Sequence, residues 1–215
     1  GLIGKSCADF ITDDGTTNAN YINCGGATDS DSWGNMTVEC WIKLDHIGRQ
    51  SSESTFFSRG SNNVPKFGLY SGKLRLYGGS SSKAIGGTGD NGDPANQETL
   101  VVNKWYHVAC TYNNTSGAAK LYVNGKLDSS ATIEASIMTA DVGTSCIGAQ
   151  SSGNRHFDGQ MGRISVWDYE LDQAHIRQMM FYDWDALLAD TTNFAKEAIR
   201  DKCVFFYQFD EGTGD

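Results

Sequence analysis

Apolar and polar residues alternate along much of this chain, with a period of two. Residues 36–44, MTVECWIKL, place Val38, Cys40, Ile42 and Leu44 on one face and Thr37, Glu39, Trp41 and Lys43 on the other. That is the pattern of a strand with one face turned to a core. Residues 67–77 hold two shorter strands, FGLY and KLRLY, closed by a Ser71-Gly72 turn. Residues 105–112 and 119–123 make a longer hairpin around the polar tip 113–117. Asn124-Gly125 then supplies the two positive-φ residues of a type I′ turn leading to Lys126-Leu127. Residues 8–11 and 20–24 read as a first pair of short strands, and 144–149 and 162–167 as two more.

Helical spacing is confined to the last fifth of the chain. Asp172 is placed to cap a helix in which Ile176, Met179 and Met180 share one face. That stripe is expected to lie on the sheets as packing. Residues 192–202 predict a second helix capped by Thr192 or Asn193, and 203–209, CVFFYQF, a buried closing strand. Loops are expected at 45–54, 78–98 and 151–156. The second of these has almost no apolar anchors and is either a mobile surface loop or one that faces a ligand. The fold class is therefore all-β: a two-sheet antiparallel sandwich with one or two short C-terminal helices. It is a single domain over residues 1–215, expected to be a fragment of a larger chain.

Composition narrows the partners more than the fold. With 25 glycines and two prolines among β-branched and aromatic runs, the chain suits a protein of many tight turns. Its net charge of −9 disfavours nucleic acid and anionic membranes. No apolar run has the length of a membrane span, so membrane insertion is not expected.

Two stretches carry a resemblance: residues 103–127, NKWYHVACTYNNTSGAAKLYVNGKL, and 157–176, FDGQMGRISVWDYELDQAHI. Together with TVECWIKLD, STFFSRG, FGLYSGKLRLYGG, TSCIGAQ and CVFFYQFDEGTGD, in this order, they resemble the laminin-G-like and pentraxin-like (concanavalin A-like) jelly-roll domains from about residue 8 to the end. Each piece encodes little more than a strand and a turn; their conjunction is specific. The resemblance implies a jelly roll that recognises glycans or proteins at surfaces, and fold alone does not choose among its functions.

Six cysteines, Cys7, Cys24, Cys40, Cys110, Cys146 and Cys203, show no metal-knuckle or CxxC spacing. The resemblance places Cys40 and Cys110 where pentraxins carry a disulfide. A bridge there implies an oxidising compartment, and its absence implies a protein assembled inside a cell, such as a virus-particle component. The other reading of all six is that they are small, reduced, buried hydrophobes. His107, in WYHVA, resembles the structural histidine of the family and is expected to be packed and hydrogen-bonded.

Catalytic residues are not expected. Related glycoside hydrolases carry paired carboxylates on one strand, and the nearest approach here is Asp168-Tyr169-Glu170-Leu171-Asp172. Asp172 reads better as a helix cap and Asp168 as an acceptor for backbone amides. The stretch corresponding to the pentraxin double-calcium site, Gln150 to Asn154, contains no acid. A single calcium site of laminin-G type would use Asp158, Asn154 or an acid at Asp90 or Asp93, with backbone carbonyls completing the shell. The other reading of Asp158 is a turn residue.

Sugar recognition asks for an aromatic platform with planar hydrogen-bonding groups beside it. Candidates are Asn62, Asn63, Asn91, Asp93, Asn154, Arg155 and His156 in loops, with Tyr77 near a strand end. Trp33, Trp41, Trp105 and Trp167 are expected to pack. The leading functional expectation is a non-catalytic binding or adhesion module that recognises carbohydrate at a cell or particle surface. The alternative is an architectural decoration or fibre domain of a bacteriophage or other virus particle making protein–protein contacts; a glycoside hydrolase comes third. Expected partners are a glycan or surface protein, and further copies or neighbouring domains of a larger assembly. The expected location is extracellular, at the cell surface or on a virus particle.

Overall fold

The computed structural model describes residues 7–11, 20–26, 33–46, 53–60, 65–78, 84–85, 98–138, 144–150, 154–194 and 199–209. In chain order the strands are β1 Ala8–Phe10, β2 Ile22–Gly26, β3 Asn35–Leu44, β4 Glu53–Arg59, β5 Lys66–Tyr70, β6 Lys73–Tyr77, β7 Ala84–Ile85 and β8 Trp105–Asn113. They continue with β9 Ala118–Val123, β10 Lys126–Thr132, β11 Thr144–Ile147 and β12 Gly159–Trp167. Two helices follow, α1 Gln173–Met179 and α2 Trp184–Ala189, then a 3₁₀ turn at Arg200–Lys202 and β13 Cys203–Tyr207.

The strands form the expected antiparallel sandwich. One sheet runs β1-β12-β3-β8-β9-β10, with β13 sharing the β12 edge with β1; the other runs β2-β11-β4-β5-β6-β7. Val38, Cys40, Ile42 and Leu44 are fully buried between the sheets, as their alternation predicts, against Phe56, Phe67, Leu74 and Leu76 of the opposite sheet. Phe56 sits edge-on to both Phe67 and Phe157, at centroid distances of 5.3 Å each. The turns follow their residues: Ser71 and Gly72 have φ of 49° and 78°, and Asn124 and Gly125 have φ of 49° and 70°.

Four expectations are corrected. β1 and β2 do not pair with each other: β1 joins β12 in one sheet and β2 joins β11 in the other. A helix not expected begins at Trp184, where Asp183 caps it by accepting from the Ala186 amide at 2.7 Å. Of the helix expected at 192–202, residues 195–198 lie outside the described residues and Arg200–Lys202 form a 3₁₀ turn. Thr192 and Asn193 instead give their amides to Asp190, which turns the chain there. β13 is half-buried, not buried, since it lies on a sheet edge. Within 78–98, Ala84 and Ile85 pair with Tyr77 and Leu76.

Cys40 and Cys110 are buried free thiols, and no bridge joins them. The register puts Cys40 opposite Val108 and Cys110 opposite Val38. They are therefore diagonal neighbours, about 7–8 Å apart in such a ladder, beyond the usual span of a disulfide. Burial pushes both thiols up, Cys40 further under the nearby Glu39 charge.

The outward face of β3 is buried as well, although its residue types read as a polar face. Glu39 is fully buried there. Its carboxylate accepts from Arg163 Nη2 at 2.8 Å, His107 Nε2 at 2.7 Å and Ser165 Oγ at 2.5 Å. Arg163 also donates to the carbonyls of Met179 and Tyr182, and Trp41 Nε1 donates to the Met180 carbonyl at 3.1 Å. Around this network Trp167, Leu171, Ile176, Met179, Leu187 and Phe194 form a second, smaller core under the helices. Asp172 caps α1 as expected, accepting from the His175 amide at 2.9 Å.

Burial raises the Glu39 carboxyl, but Arg163 and the bonds from His107 and Ser165 outweigh it and hold the group at about 2. Burial pushes His107 down, only partly opposed by Glu39, so it stays neutral and donates through Nε2. A carboxyl depressed in the folded state stabilises above its unfolded pKa, about 4.3, and that contribution is lost as pH falls from there toward 2. Glu39→Ala, which leaves Arg163 buried without its counter-charge, is expected to cost about 3–5 kcal/mol in urea denaturation at pH 7. The deficit relative to wild type should shrink below about pH 4. For the thiols, alkylation of non-reduced, denatured protein should label all six cysteines by intact mass. Two labels fewer would reveal a bridge.

Candidate functional site

With the helices covering the outer face of the seven-stranded sheet, the outer face of β4, β5 and β6 is the place where chemistry gathers. Alternation turns Phe67, Leu69, Leu74 and Leu76 inward and leaves Lys66, Gly68 and Tyr70 of β5 and Lys73, Arg75 and Tyr77 of β6 outward. The register aligns them in rows: Tyr70 opposite Lys73, Gly68 opposite Arg75, Lys66 opposite Tyr77. A small, shallow cleft open to solvent lies over them, lined by Glu53, Thr55, Lys66, Gly68, Arg75, Tyr77 and Arg155 among others.

A β-bulge shapes this cleft. Between Thr55 and Phe57 the β4–β5 register slips by one residue. The Thr55 amide is met by the Arg155 carbonyl at 2.9 Å, which brings residue 155 to the cleft wall. The same bulge presses the Ser54 carbonyl onto β5, so Gly68 has no room for a side chain. An added Cβ would fall on the Ser54 oxygen and 2.9 Å from both its carbonyl carbon and the Thr55 Cα.

Charge and aromatic surface interleave across the cleft. Glu53 holds two guanidinium groups, Arg75 Nη1 at 2.6 Å on one oxygen and Arg155 Nε at 2.5 Å on the other. Arg75 lies 4.8 Å from the Tyr70 ring centre and 5.2 Å from that of Tyr77, and the Lys66 ammonium lies 5.3 Å from Tyr77. Burial, then the Arg155 charge, lower Lys66 to about 8 against the opposing pull of Glu53.

Of the residues singled out from sequence, the structure brings together Tyr77 and Arg155. Asn154 is exposed, and its carbonyl accepts from the Gln150 amide at 2.9 Å. His156 stands next to the Tyr21 ring, at 6.0 Å. Asn62, Asn63, Asn91 and Asp93 lie outside the described residues. Lys66, Arg75, Glu53 and Tyr70 were missed, although the alternation in KFGLYSGKLRLY, extended one residue back to Lys66, already puts three of them on the outer face.

Asp158 and Asn154, the candidate calcium ligands, both have partners within the protein. The Asp158 carboxylate is buried and pairs with His46 Nδ1 at 3.0 Å, and its carbonyl accepts from the Asp45 amide. Among the described residues no three His, Cys, Asp or Glu side chains gather as a metal site, and calcium needs six or more oxygens. Asp90 and Asp93 lie outside the described residues. Nor do the carboxylates of 168–172 form a catalytic pair. Asp168 accepts from the Gly34 and Asn35 amides, Glu170 binds Lys120 and Asn113, and Asp172 caps α1.

A second cleft, about 310 Å³, lies between α2 and β13 and is lined by Trp184, Cys203, Val204, Phe206 and Gln208. It has no charged group among these.

The family model for the concanavalin A-like lectin/glucanases superfamily matches residues 14–177, and the chain belongs to this family. No curated protein sequence matches it. Among solved structures it is similar to a Bacteroides ovatus ATCC 8483 protein thought to bind carbohydrate, at TM-score 0.64 and 21% identity over 91% of this chain and 51% of that one. It is similar to the heptameric SAP-like pentraxin of Limulus polyphemus, at TM-score 0.55 and 17% identity over 80% of each chain. It also resembles domain 4 of AbnA, an extracellular GH43 arabinanase of Geobacillus stearothermophilus solved with arabinotriose. There the TM-score is 0.57 and identity 19%, over 83% of this chain and 82% of that one. The chain spans about half the length of the Bacteroides protein. These likenesses establish the fold.

Gly68→Ala is expected to destabilise by about 1–3 kcal/mol, because either Ser54 or β5 must move. Urea denaturation checks this, and an unchanged midpoint would mean that the bulge is not held as described.

Proposed function

We propose that this domain is a non-catalytic carbohydrate-binding module and that the outer face of β4–β6 is its sugar site. One observation carries the reading: Tyr70, Arg75 and Tyr77 make a strip of phenol, guanidinium and phenol, with Lys66, Glu53 and Arg155 converging at its end. Pyranose rings lay their C–H faces on aromatic surface, and hydroxyls are read by fixed planar donors and acceptors. The charged groups here hold one another in place, which lowers the ordering cost of binding. The sugar-associated domains of similar fold support the reading. The module works outside the cell or at its surface, as part of a larger protein.

A second reading rests on the thiols. Six unbridged cysteines suit a protein assembled in a reducing compartment, such as an architectural domain of a virus particle. There the same face would pack on protein.

A broad glycan array, followed by titration calorimetry on the hits, separates the two. Tyr77→Ala and Arg75→Ala should each weaken sugar binding by about tenfold or more, and Trp184→Ala, at the other cleft, should leave it unchanged. Chelator should have no effect, since the strip needs no metal. Silence across the array, with self-association in solution, would favour the architectural reading.

A further inference from the structure

The cleft contains a charge that no described residue answers with an ion pair. Lys66 is 6% exposed, yet its ammonium has no hydrogen bond and no ion pair among the described residues; it lies 5.3 Å from the centre of the Tyr77 ring. An ammonium on a largely buried side chain, at the wall of a cleft and without a counter-charge, is a ready partner for an anion. The carboxylate within reach of the cleft, Glu53, is already taken: one oxygen by Arg75 and the other by Arg155. Arg155 uses only its Nε in that pair, and its two terminal nitrogens have no described partner on a side chain 37% exposed. Three cations thus face one carboxylate in the cleft of a protein whose net charge is −9. The local excess of positive charge runs against the sign of the whole chain.

We propose that the cleft receives an anionic substituent of a saccharide, a carboxylate or a sulfate, held between the Lys66 ammonium and the outward fork of Arg155. This rests on the reading of the β4–β6 face as a sugar site and adds the class of sugar. A planar carboxylate or a sulfate edge accepts two parallel bonds from a guanidinium, while the ammonium serves as a point charge below. The cleft is small and open to solvent, so a substituent would enter it with the sugar ring left outside, over Tyr77. The groups facing Lys66 are Tyr77 from β6, Glu53 from β4 and Arg155 from the loop between β11 and β12. Lys66, lowered to about 8, is charged at neutral pH and loses its proton as the pH rises through that value. Binding of the anion is therefore expected to weaken between pH 7 and 9.

The test is calorimetry on the full 215-residue chain with matched saccharide pairs. One pair is oligogalacturonate and its methyl ester; the other is sulfated and unsulfated dextran oligosaccharide. One acidic member should bind about tenfold or more tightly than its neutral partner, the factor expected of a charge-assisted hydrogen bond. Which pair shows the difference assigns carboxylate or sulfate. Arg155→Gln and Lys66→Gln should each remove the preference. Lys66→Arg should keep it and abolish its decline between pH 7 and 9. Equal, Tyr77-dependent affinity for acidic and neutral members would overturn the anion and leave the sugar site standing. Binding of no saccharide would overturn both. Equal binding of polyglutamate would show simple polyanion attraction and overturn the saccharide specificity.

Discussion

Everything on one side of this molecule hangs on the buried pair of Glu39 and Arg163. A carboxylate with no exposure would be intolerable alone; here it receives a guanidinium, an imidazole and a hydroxyl. Arg163 then turns outward and gives its remaining hydrogen bonds to the carbonyls of Met179 and Tyr182. Those carbonyls end α1 and open the path to α2, so the ion pair fastens the helical segment to the sheet at the point where the chain must turn. Apolar contact from Ile176, Met179 and Leu187 supplies area, but area has no direction. The hydrogen bonds set where the helices sit. A pair of this kind is weak as net stability and strong as a constraint, because losing either member strands the other.

The sandwich was legible in the chain, while this constraint was not, and both follow from the range over which each is written. Alternation in 36–44 and turns such as Asn124-Gly125 are local, and they fold as they read. Glu39 occupied a polar position of an alternating strand and so looked solvated. Its partners lie 68, 124 and 126 residues away, and nothing near it in sequence marks them. β4 has the opposite problem. ESTFFSR breaks alternation because a bulge inserts a residue, and a period of two cannot register an extra residue.

The candidate site was half legible for the same reason. Arg155 stands in a loop and Tyr77 at a strand end, where sugar-reading side chains are expected, but the floor of the cleft is strand. Lys66, Arg75 and Tyr77 become neighbours only through the register of a hairpin, with Lys66 opposite Tyr77. Arg155 joins them because the bulge at Thr55 leaves an amide that its carbonyl satisfies. Gly68 makes that approach sterically free. One irregularity in β4 thus both recruits the loop and opens the floor.

The two outer faces divide the work. On the seven-stranded sheet the buried charge is matched, and helices seal it; on β4–β6 the ammonium of a largely buried lysine has no ion pair among the described residues, and no described element covers the cleft. The same physical chemistry distinguishes them. Glu39 has donors to all its needs inside the fold, so nothing outside can improve on them. Lys66 has an aromatic face, the like charge of Arg155 and a Glu53 carboxylate already shared by two guanidinium groups, so a counter-charge from solution gains what the fold withholds. A counter-charge arriving on a sugar would meet a site already ordered by the Glu53 pairs, and its binding would need little further rearrangement.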